Sequence, residues 1–147
     1  MKNSQITKDE MDSKGIPATI MYPAGGGKHP TILVLSGSEG GKSLERACLL
    51  ASKGFTTIAL AYFNYNGLPD YLIKIPLEYF PKQLEQLRFH RAVNLENLAV
   101  TGASKGGELS LLLGAHFQIF KAVVAYVPSA VVWSGIDYTG TAPIQSS

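Results

Sequence analysis

Apolar runs alternate with helical segments along most of this sequence, and that alternation restricts the fold more than any other feature. The apolar runs are continuous, as expected for strands covered on both faces, and they lie at residues 31–35, 55–61, 97–101 and 120–127. The segments between them have helical features, such as Ser43 as an N-cap, and span residues 43–53, 77–91 (or 81–91) and 105–117. This order predicts an α/β domain with a doubly wound, mostly parallel sheet in three αβα layers.

The two ends of the chain depart from this pattern. Residues 1–15 are polar, and we expect them to be frayed or disordered, so that the domain spans residues 16–147 and starts with a short strand at 18–22. From residue 128 the sequence is small, polar and turn-rich, and no further crossover helix follows. Because a parallel strand needs cover on both faces, we predict a fold that is incomplete at its C-terminal side.

Composition and charge exclude several classes of partner. The 13 Lys and Arg residues against 11 Asp and Glu leave a net charge of +2, without a basic stripe, so nucleic acid is not expected. No apolar run is long enough to span a membrane, and the N-terminus lacks the apolar region of a signal peptide. The single cysteine, Cys48, excludes an internal disulfide and is typical of a reducing compartment. We therefore expect a cytoplasmic protein with no membrane partner.

One segment, Gly102-Ala103-Ser104-Lys105-Gly106, has the G-x-S-x-G pattern of a nucleophile elbow. It follows a predicted strand and opens a predicted helix, which is the context in which this pattern places a reactive serine. Gly102 and Gly106 would permit the tight turn, and Ser104 would project above the carboxyl edge of the sheet. The alternative is a glycine-rich turn that only joins strand to helix. The context favours Ser104 as a nucleophile.

A serine nucleophile needs donors for the oxyanion and a surface for its substrate. We expect the backbone N–H of Lys105 to be one donor and an N–H near Ser38 and Glu39, in the loop after the 31–35 strand, to be the other. The aromatic residues Tyr62, Phe63 and Tyr65 follow a strand at the same edge. They would line an acyl pocket or simply pack in the core, and the sequence leaves both open.

The three histidines are poor candidates for the base that Ser104 requires. His29 precedes the 31–35 strand and lies roughly 16 Å from the catalytic edge. His90 also precedes a strand, so it lies at the amino edge. His116 is roughly 18 Å along the helix from Ser104. None is expected to reach the Ser104 hydroxyl.

Other groups near Ser104 do not replace a histidine. Asp70 and Asp137 lie in loops at the correct edge, but a carboxylate without a histidine has nothing to orient. The side chain of Lys105 should diverge from Ser104, and position 107 is Gly, so the Ser-x-x-Lys spacing is absent.

A nucleotide-binding loop is the competing interpretation. Gly41-Lys42-Ser43 follows an apolar strand and opens a helix, as in a P-loop. That motif needs a glycine five positions before Gly41, where this chain has Ser36. Neither the 55–61 strand nor the 120–127 strand ends in an Asp that could hold magnesium. The pattern therefore favours the elbow over a P-loop.

Several segments together resemble the C-terminal catalytic domain shared by acyl-CoA thioesterases and bile acid-CoA:amino acid N-acyltransferase, an α/β-hydrolase related to dienelactone hydrolase. The likeness runs from about residue 15 to the end of the chain. The Ala-Tyr-x-Asn-Tyr and Ser-Lys-Gly-Gly-Glu pieces are the most specific. The matching segments are Ser36–Gly41, Arg46–Phe55, Ala59–Tyr65, Leu68-Pro69, Ile75–Phe80, Gly102–Leu109 and Tyr138-Thr139-Gly140.

The resemblance implies hydrolysis of an acyl-CoA or a related thioester through an acyl-enzyme on Ser104, without a cofactor or a metal. The acyltransferase branch uses cysteine as the nucleophile, so serine favours a thioesterase. In the family, the triad Asp and His follow the nucleophile at positions beyond residue 147, and a β-sandwich domain precedes the catalytic domain. Asp137 comes too early to be the family's acid.

The resemblance therefore predicts that the 147-residue chain alone is inactive or nearly so. A homodimer or a complementing chain would complete it. The alternative from another class is a fragment that binds acyl-CoA or a partner without catalysis, through the uncovered edge of its sheet.

Overall fold

The computed structural model describes residues 5–72 and 74–128 of the chain. The tail that contains Asp137 and Tyr138-Thr139-Gly140 lies outside the described residues. The strands are β1 (Ile6–Glu10), β2 (Ala18–Pro23), β3 (Thr31–Leu35), β4 (Thr56–Leu60), β5 (Leu98–Ala103) and β6 (Phe120–Tyr126). The helices are α1 (Leu44–Ala51), α2 (Tyr79–Gln86) and α3 (Lys105–His116), and a short 3-10 turn covers Asp12–Lys14.

The strands form one sheet in the order β1-β2-β4-β3-β5-β6. β4, β3, β5 and β6 run parallel, whereas β1 and β2 add an antiparallel ribbon at one side. The predicted α/β fold with a mostly parallel sheet is confirmed. In the described part of the chain, no helix is both long enough and apolar enough to cross a bilayer.

The core lies on both faces of the sheet, which explains the continuous apolar runs. Along β3, Leu33 and Leu35 pack into a large cluster that includes residues of α2 and α3. The alternate residues, Ile32 and Val34, pack on the opposite face against residues of α1. Since successive side chains of a strand point to opposite faces, a strand covered by helices on both sides must be apolar throughout.

The polar N-terminal segment is ordered, and the prediction of a frayed segment over residues 1–15 is wrong for the described part of it. β1 pairs with β2 from Ile6 opposite Pro23 to Glu10 opposite Thr19. The polar side chains of this ribbon find partners across it: the Thr19 hydroxyl donates to Glu10 Oε2 over 2.7 Å. A strand at the side of a sheet needs few apolar residues, which is why hydrophobic patterning missed β1.

Helix α2 is shorter than predicted. It ends at Gln86 rather than residue 91, and Pro81 lies in its first turn. Beyond it the N–H groups of Leu87, Arg88 and His90 each bond the carbonyl three residues earlier, so the chain continues as tight turns instead of a helix.

Candidate active site

Ser104 lies at the junction of β5 and α3 in a backbone conformation that serine rarely adopts. Its φ is 54° and its ψ is −120°. The Ser104 N–H donates to the Tyr126 carbonyl of β6 over 2.9 Å, and the Ser104 carbonyl accepts from the Glu108 N–H over 3.0 Å. Strain of this kind persists only where surrounding bonds hold it, and it is concentrated at functional sites. Hydrogen bonds from β6 and α3 therefore hold Ser104 in the conformation that a nucleophile elbow requires.

The two glycines of the turn are needed because backbone occupies the space of a side chain. A methyl group at Gly102 would lie 2.5 Å from the carbonyl of Gly106. A methyl group at Gly106 would lie 2.5 Å from the carbonyl oxygen of Ser36. The turn is thus packed backbone to backbone against the end of β3.

The loop after β3 comes directly against Ser104 at Gly37. β3 and β5 pair in parallel with Leu35 opposite Gly102, so Gly37 is level with Ser104 when this register is continued. A methyl group at Gly37 would lie 3.7 Å from Ser104 Cβ. The Gly37 N–H donates to Glu39 Oε1 over 3.1 Å. The sequence pattern indicated Ser38 and Glu39 in this loop, and Gly37 is the residue that the β3–β5 register sets beside Ser104.

The loop after β4 holds the loop after β3 in place. The Gly41 N–H donates to the Phe63 carbonyl over 2.9 Å, and Asn64 Nδ2 donates to the Glu39 carbonyl over 2.9 Å. Gly40 has a φ of 69°, and a methyl group there would lie 2.7 Å from Asn64 Cβ. These contacts fix the backbone that faces Ser104.

The three aromatic residues considered for an acyl pocket have other surroundings. Tyr62 and Phe63 are fully buried in the main core cluster, and the Tyr62 hydroxyl donates to the Ser36 carbonyl over 2.6 Å. The Tyr65 hydroxyl donates to Asp12 Oδ1 over 2.6 Å. Packing accounts for Tyr62 and Phe63, and the Tyr62 hydroxyl ties this core to the backbone that follows β3.

The amine of Lys105 is paired with a carboxylate on its own helix. Its Nζ lies 3.1 Å from Glu108 Oε2, and the two side chains are only 13% and 10% exposed. An ammonium paired in this way is not free to act as a base. As the first residue of α3, Lys105 has an N–H without a partner inside the helix, and this N–H is available to a ligand.

Lys42 is also committed to carboxylates. Its Nζ lies 3.0 Å from Glu10 Oε2 and 2.7 Å from Asp12 Oδ2, and only 5% of the side chain is exposed. Burial alone would lower the pKa of Lys42, but the hydrogen bonds with Asp12, Tyr65 and Glu10 outweigh it and raise the pKa. A P-loop needs its lysine free for phosphate, so this arrangement disfavours nucleotide binding. Hydrophobic patterning gave no signal for this cluster, because its members come from three separate segments.

The three histidines lie away from Ser104. His90 Nε2 lies 2.8 Å from Asp9 Oδ2, and its Nδ1 accepts the Ala92 N–H over 3.1 Å, so Nε2 carries the proton. His29 precedes β3, at the opposite edge of the sheet from Ser104. His116 ends α3, where its Nδ1 lies 2.9 Å from the Leu112 carbonyl oxygen.

One further carboxylate, that of Asp70, belongs to this edge of the sheet. Asp70 is exposed in the loop after β4, at the same edge as Ser104. Within residues 5–72 and 74–128, no group of three or more His, Cys, Asp or Glu side chains is placed to hold a metal ion.

The sequence of residues 75–146 matches the family described as BAAT / Acyl-CoA thioester hydrolase C terminal. This match covers 72 of the 147 residues. The chain is 40% identical over 124 residues to acyl-coenzyme A thioesterase 1 of Mus musculus. This alignment covers 84% of the chain and 30% of that relative. It is 34% identical over 127 residues to acyl-coenzyme A amino acid N-acyltransferase 2 of Rattus norvegicus, covering 86% of the chain and 30% of the relative.

Solved structures agree on the fold. A putative dienelactone hydrolase from Klebsiella pneumoniae matches with a TM-score of 0.70 and 23% identity, over 90% of this chain and 63% of that one. The alpha/beta hydrolase GrgF from Penicillium matches with a TM-score of 0.60 and 16% identity, over 84% of this chain and 45% of that one. The chain thus has an α/β-hydrolase fold, and it spans about 30% of the length of the thioesterase and acyltransferase relatives.

Proposed function

We propose that this chain carries the nucleophile and oxyanion hole of an acyl-CoA thioester hydrolase. The observation that carries the proposal is the strained backbone of Ser104, held between Gly102 and Gly106. The Ser104 Oγ would attack the thioester carbonyl carbon, the C–S bond would break to release the thiol, and water would hydrolyse the resulting acyl-serine. The named activities of the thioesterase relatives support this substrate class.

Two backbone donors would hold the oxygen of the tetrahedral intermediate. The Lys105 N–H opens α3 beside the nucleophile, and the Gly37 N–H is level with it across the β3–β5 pair. This register favours Gly37 over Ser38 and Glu39 as the second donor. Such donors stabilise the negative charge that develops on the oxygen.

The proton of Ser104 needs an acceptor that none of the three histidines provides. Each has other surroundings in the structure, and His29 and His90 lie at the opposite edge of the sheet. We therefore propose that the general base and its partner are groups other than these three histidines. Without that base and its partner, rates fall by several orders of magnitude.

Chemical rescue tests this proposal directly. The chain is incubated with a fluorophosphonate, with and without imidazole as an external base, and the adduct is read by intact mass. We expect imidazole to raise labelling at least about tenfold, because it replaces the missing general base. Ser104→Ala should abolish the adduct, whereas Ser43→Ala, at the start of α1, should leave it unchanged. Equal labelling of Ser104→Ala, or no labelling of a folded chain with imidazole, would contradict the proposal.

A second function, partner binding, is supported by the exposed edge of β6. Within the part of the chain that the structure describes, β6 is the outermost strand of the sheet, and Val124, Tyr126 and the following Val127 are 48%, 52% and 83% exposed. An apolar, unpaired strand edge favours pairing with another strand. A second copy or a complementing chain would then cover it. Sedimentation of the chain against Val124→Lys tests this, since a charge on the edge should lower association.

The cytoplasm is our proposed compartment, on the basis of the single free cysteine. Cys48 is exposed on α1, as tolerated in a reducing environment. Three relatives are named as mitochondrial, so cell fractionation is the deciding measurement.

A further inference from the structure

The side chain of Glu39 accepts a hydrogen bond from the backbone N–H of Gly37, which lies beside Ser104. Glu39 Oε1 accepts the Gly37 N–H over 3.1 Å. Glu39 Oε2 lies 3.0 Å from the point that a Gly37 methyl carbon would occupy, and that same point is 3.7 Å from Ser104 Cβ. A carboxylate oxygen of Glu39 is therefore already bound to the Gly37 N–H, which the strand register indicates as the second donor of the oxyanion hole.

A bound carboxylate and a reacting thioester would compete for this donor. The oxygen of the tetrahedral intermediate carries a negative charge and needs the N–H directed at it. Glu39 is an anion bound to the same N–H, so it withdraws the donor and repels the developing charge. The transition state can use Gly37 fully only after the carboxylate leaves.

The surroundings of Glu39 allow that movement. Its backbone is fixed, because Asn64 Nδ2 donates to the Glu39 carbonyl, but the residue is exposed and its carboxylate can turn into water. Two lysines at this edge are already paired: Lys42 with Glu10 and Asp12, and Lys105 with Glu108. In the described part of the chain, Gly37 is the hydrogen-bond partner that holds the carboxylate.

We propose that Glu39 is a displaceable plug of the oxyanion hole. Without substrate, its carboxylate caps the Gly37 N–H, and it must swing out before the acyl carbonyl can bind. The plug limits access to Ser104 and takes no part in bond making. This inference rests on the proposed function, because it assumes that Gly37 and Lys105 serve a nucleophile at Ser104.

The first test measures the rate of Ser104 modification. Fluorophosphonate labelling with imidazole is compared among the unchanged chain, Glu39→Gln and Glu39→Ala. We expect Glu39→Ala to react about tenfold faster, the factor of one hydrogen bond to a charged group. Glu39→Gln should lie between, because an amide oxygen still accepts the N–H but carries no charge. Glu45→Ala, which removes an exposed carboxylate in the first turn of α1, is the matched control and should not change the rate.

The second test does not depend on a reactive serine. Acetate is titrated into the ¹⁵N-labelled chain and into Glu39→Ala, and the amide signals of Gly37 and Lys105 are followed by NMR. In Glu39→Ala both signals should shift together with one dissociation constant. The unchanged chain should need about tenfold more acetate for the same shift, because Glu39 already fills the site.

The two tests separate the plug from the proposed function. If Ser104 reacts at equal rates in all variants, or more slowly in Glu39→Ala, the plug is wrong although the nucleophile is real. If Ser104 fails to react in every variant, the proposed function is wrong, and acetate decides whether Glu39 covers an anion site. The plug would be overturned if acetate shifted neither amide signal or only that of Gly37. It would also be overturned if the unchanged chain and Glu39→Ala needed the same acetate concentration for the same shift.

Discussion

Lys42 should stabilise the domain measurably, because it ties the N-terminal ribbon to the loop after β3. Its ammonium is nearly buried, while its partners Glu10 and Asp12 keep 49% and 40% of their side chains exposed. A fully buried pair would cost about 3–5 kcal/mol when broken. Exposed ion pairs contribute at most about 1 kcal/mol each. The Lys42–Glu10 and Lys42–Asp12 pairs resemble exposed pairs more than buried ones, because both carboxylates are partly exposed. Lys42→Met keeps the apolar stem and loses both pairs, so we expect a loss of about 2 kcal/mol.

Urea and thermal unfolding would measure this loss. For a domain of this size, about 2 kcal/mol corresponds to a fall in Tm of about 4–8 °C. Lys8→Met is the matched control, since Lys8 also contacts Glu10, at 3.3 Å, but is 51% exposed. We expect the control to change stability by less than about 0.5 kcal/mol.

The pH dependence of the difference identifies its cause. Hydrogen bonds from Lys42 and then Tyr65 lower the pKa of Asp12, and those from Thr19 and Lys42 lower the pKa of Glu10. A carboxyl whose pKa is lowered by folding stabilises the protein above its unfolded pKa, about 4, and this contribution is lost as pH falls through the folded value. The gap between the unchanged chain and Lys42→Met should therefore be full at neutral pH and shrink below about pH 4. A gap below about 0.5 kcal/mol at neutral pH, or one that persists in acid, would refute the reasoning.

Three further substitutions test the site by unfolding measurements. Gly102→Ala should destabilise by about 3 kcal/mol or prevent folding, because its methyl group would meet the Gly106 backbone at 2.5 Å; a loss below about 1 kcal/mol would show that the turn can open. Glu108→Gln should cost about 3 kcal/mol, because it leaves the nearly buried Lys105 ammonium without its carboxylate; an unchanged urea midpoint would mean that the pair contributes nothing. Ser36→Ala should be neutral or stabilise by about 1 kcal/mol, because the buried Ser36 hydroxyl has no partner in the described residues; a clear loss of stability would reveal one.

Local patterns predicted the central strands and the start of α3 well, but they extended α2 too far. β3 was predicted at its observed bounds, since a strand buried on both faces has an unbroken apolar signal. The start of α3 at Lys105 followed from the glycine pattern of the elbow. β1 was missed because its stabilising contacts, from Glu10 to Thr19 and Lys42, join residues that are distant in sequence. Periodicity within a segment cannot report bonds of that kind.

The same distinction explains which parts of the site were predictable. Strand direction decides the edge at which a flanking residue lies, so His29 and His90 could be assigned to the amino edge without any distance. The proposed second oxyanion donor required more, because two parallel strands had to be placed in register before Gly37 could be set level with Ser104. The Glu39 carboxylate required more still, since a side chain that bonds the backbone two residues earlier leaves no trace in composition or spacing. Chain order thus indicates the edge and the proposed nucleophile, strand register indicates the proposed donor, and only side-chain geometry shows the carboxylate that is bonded to it.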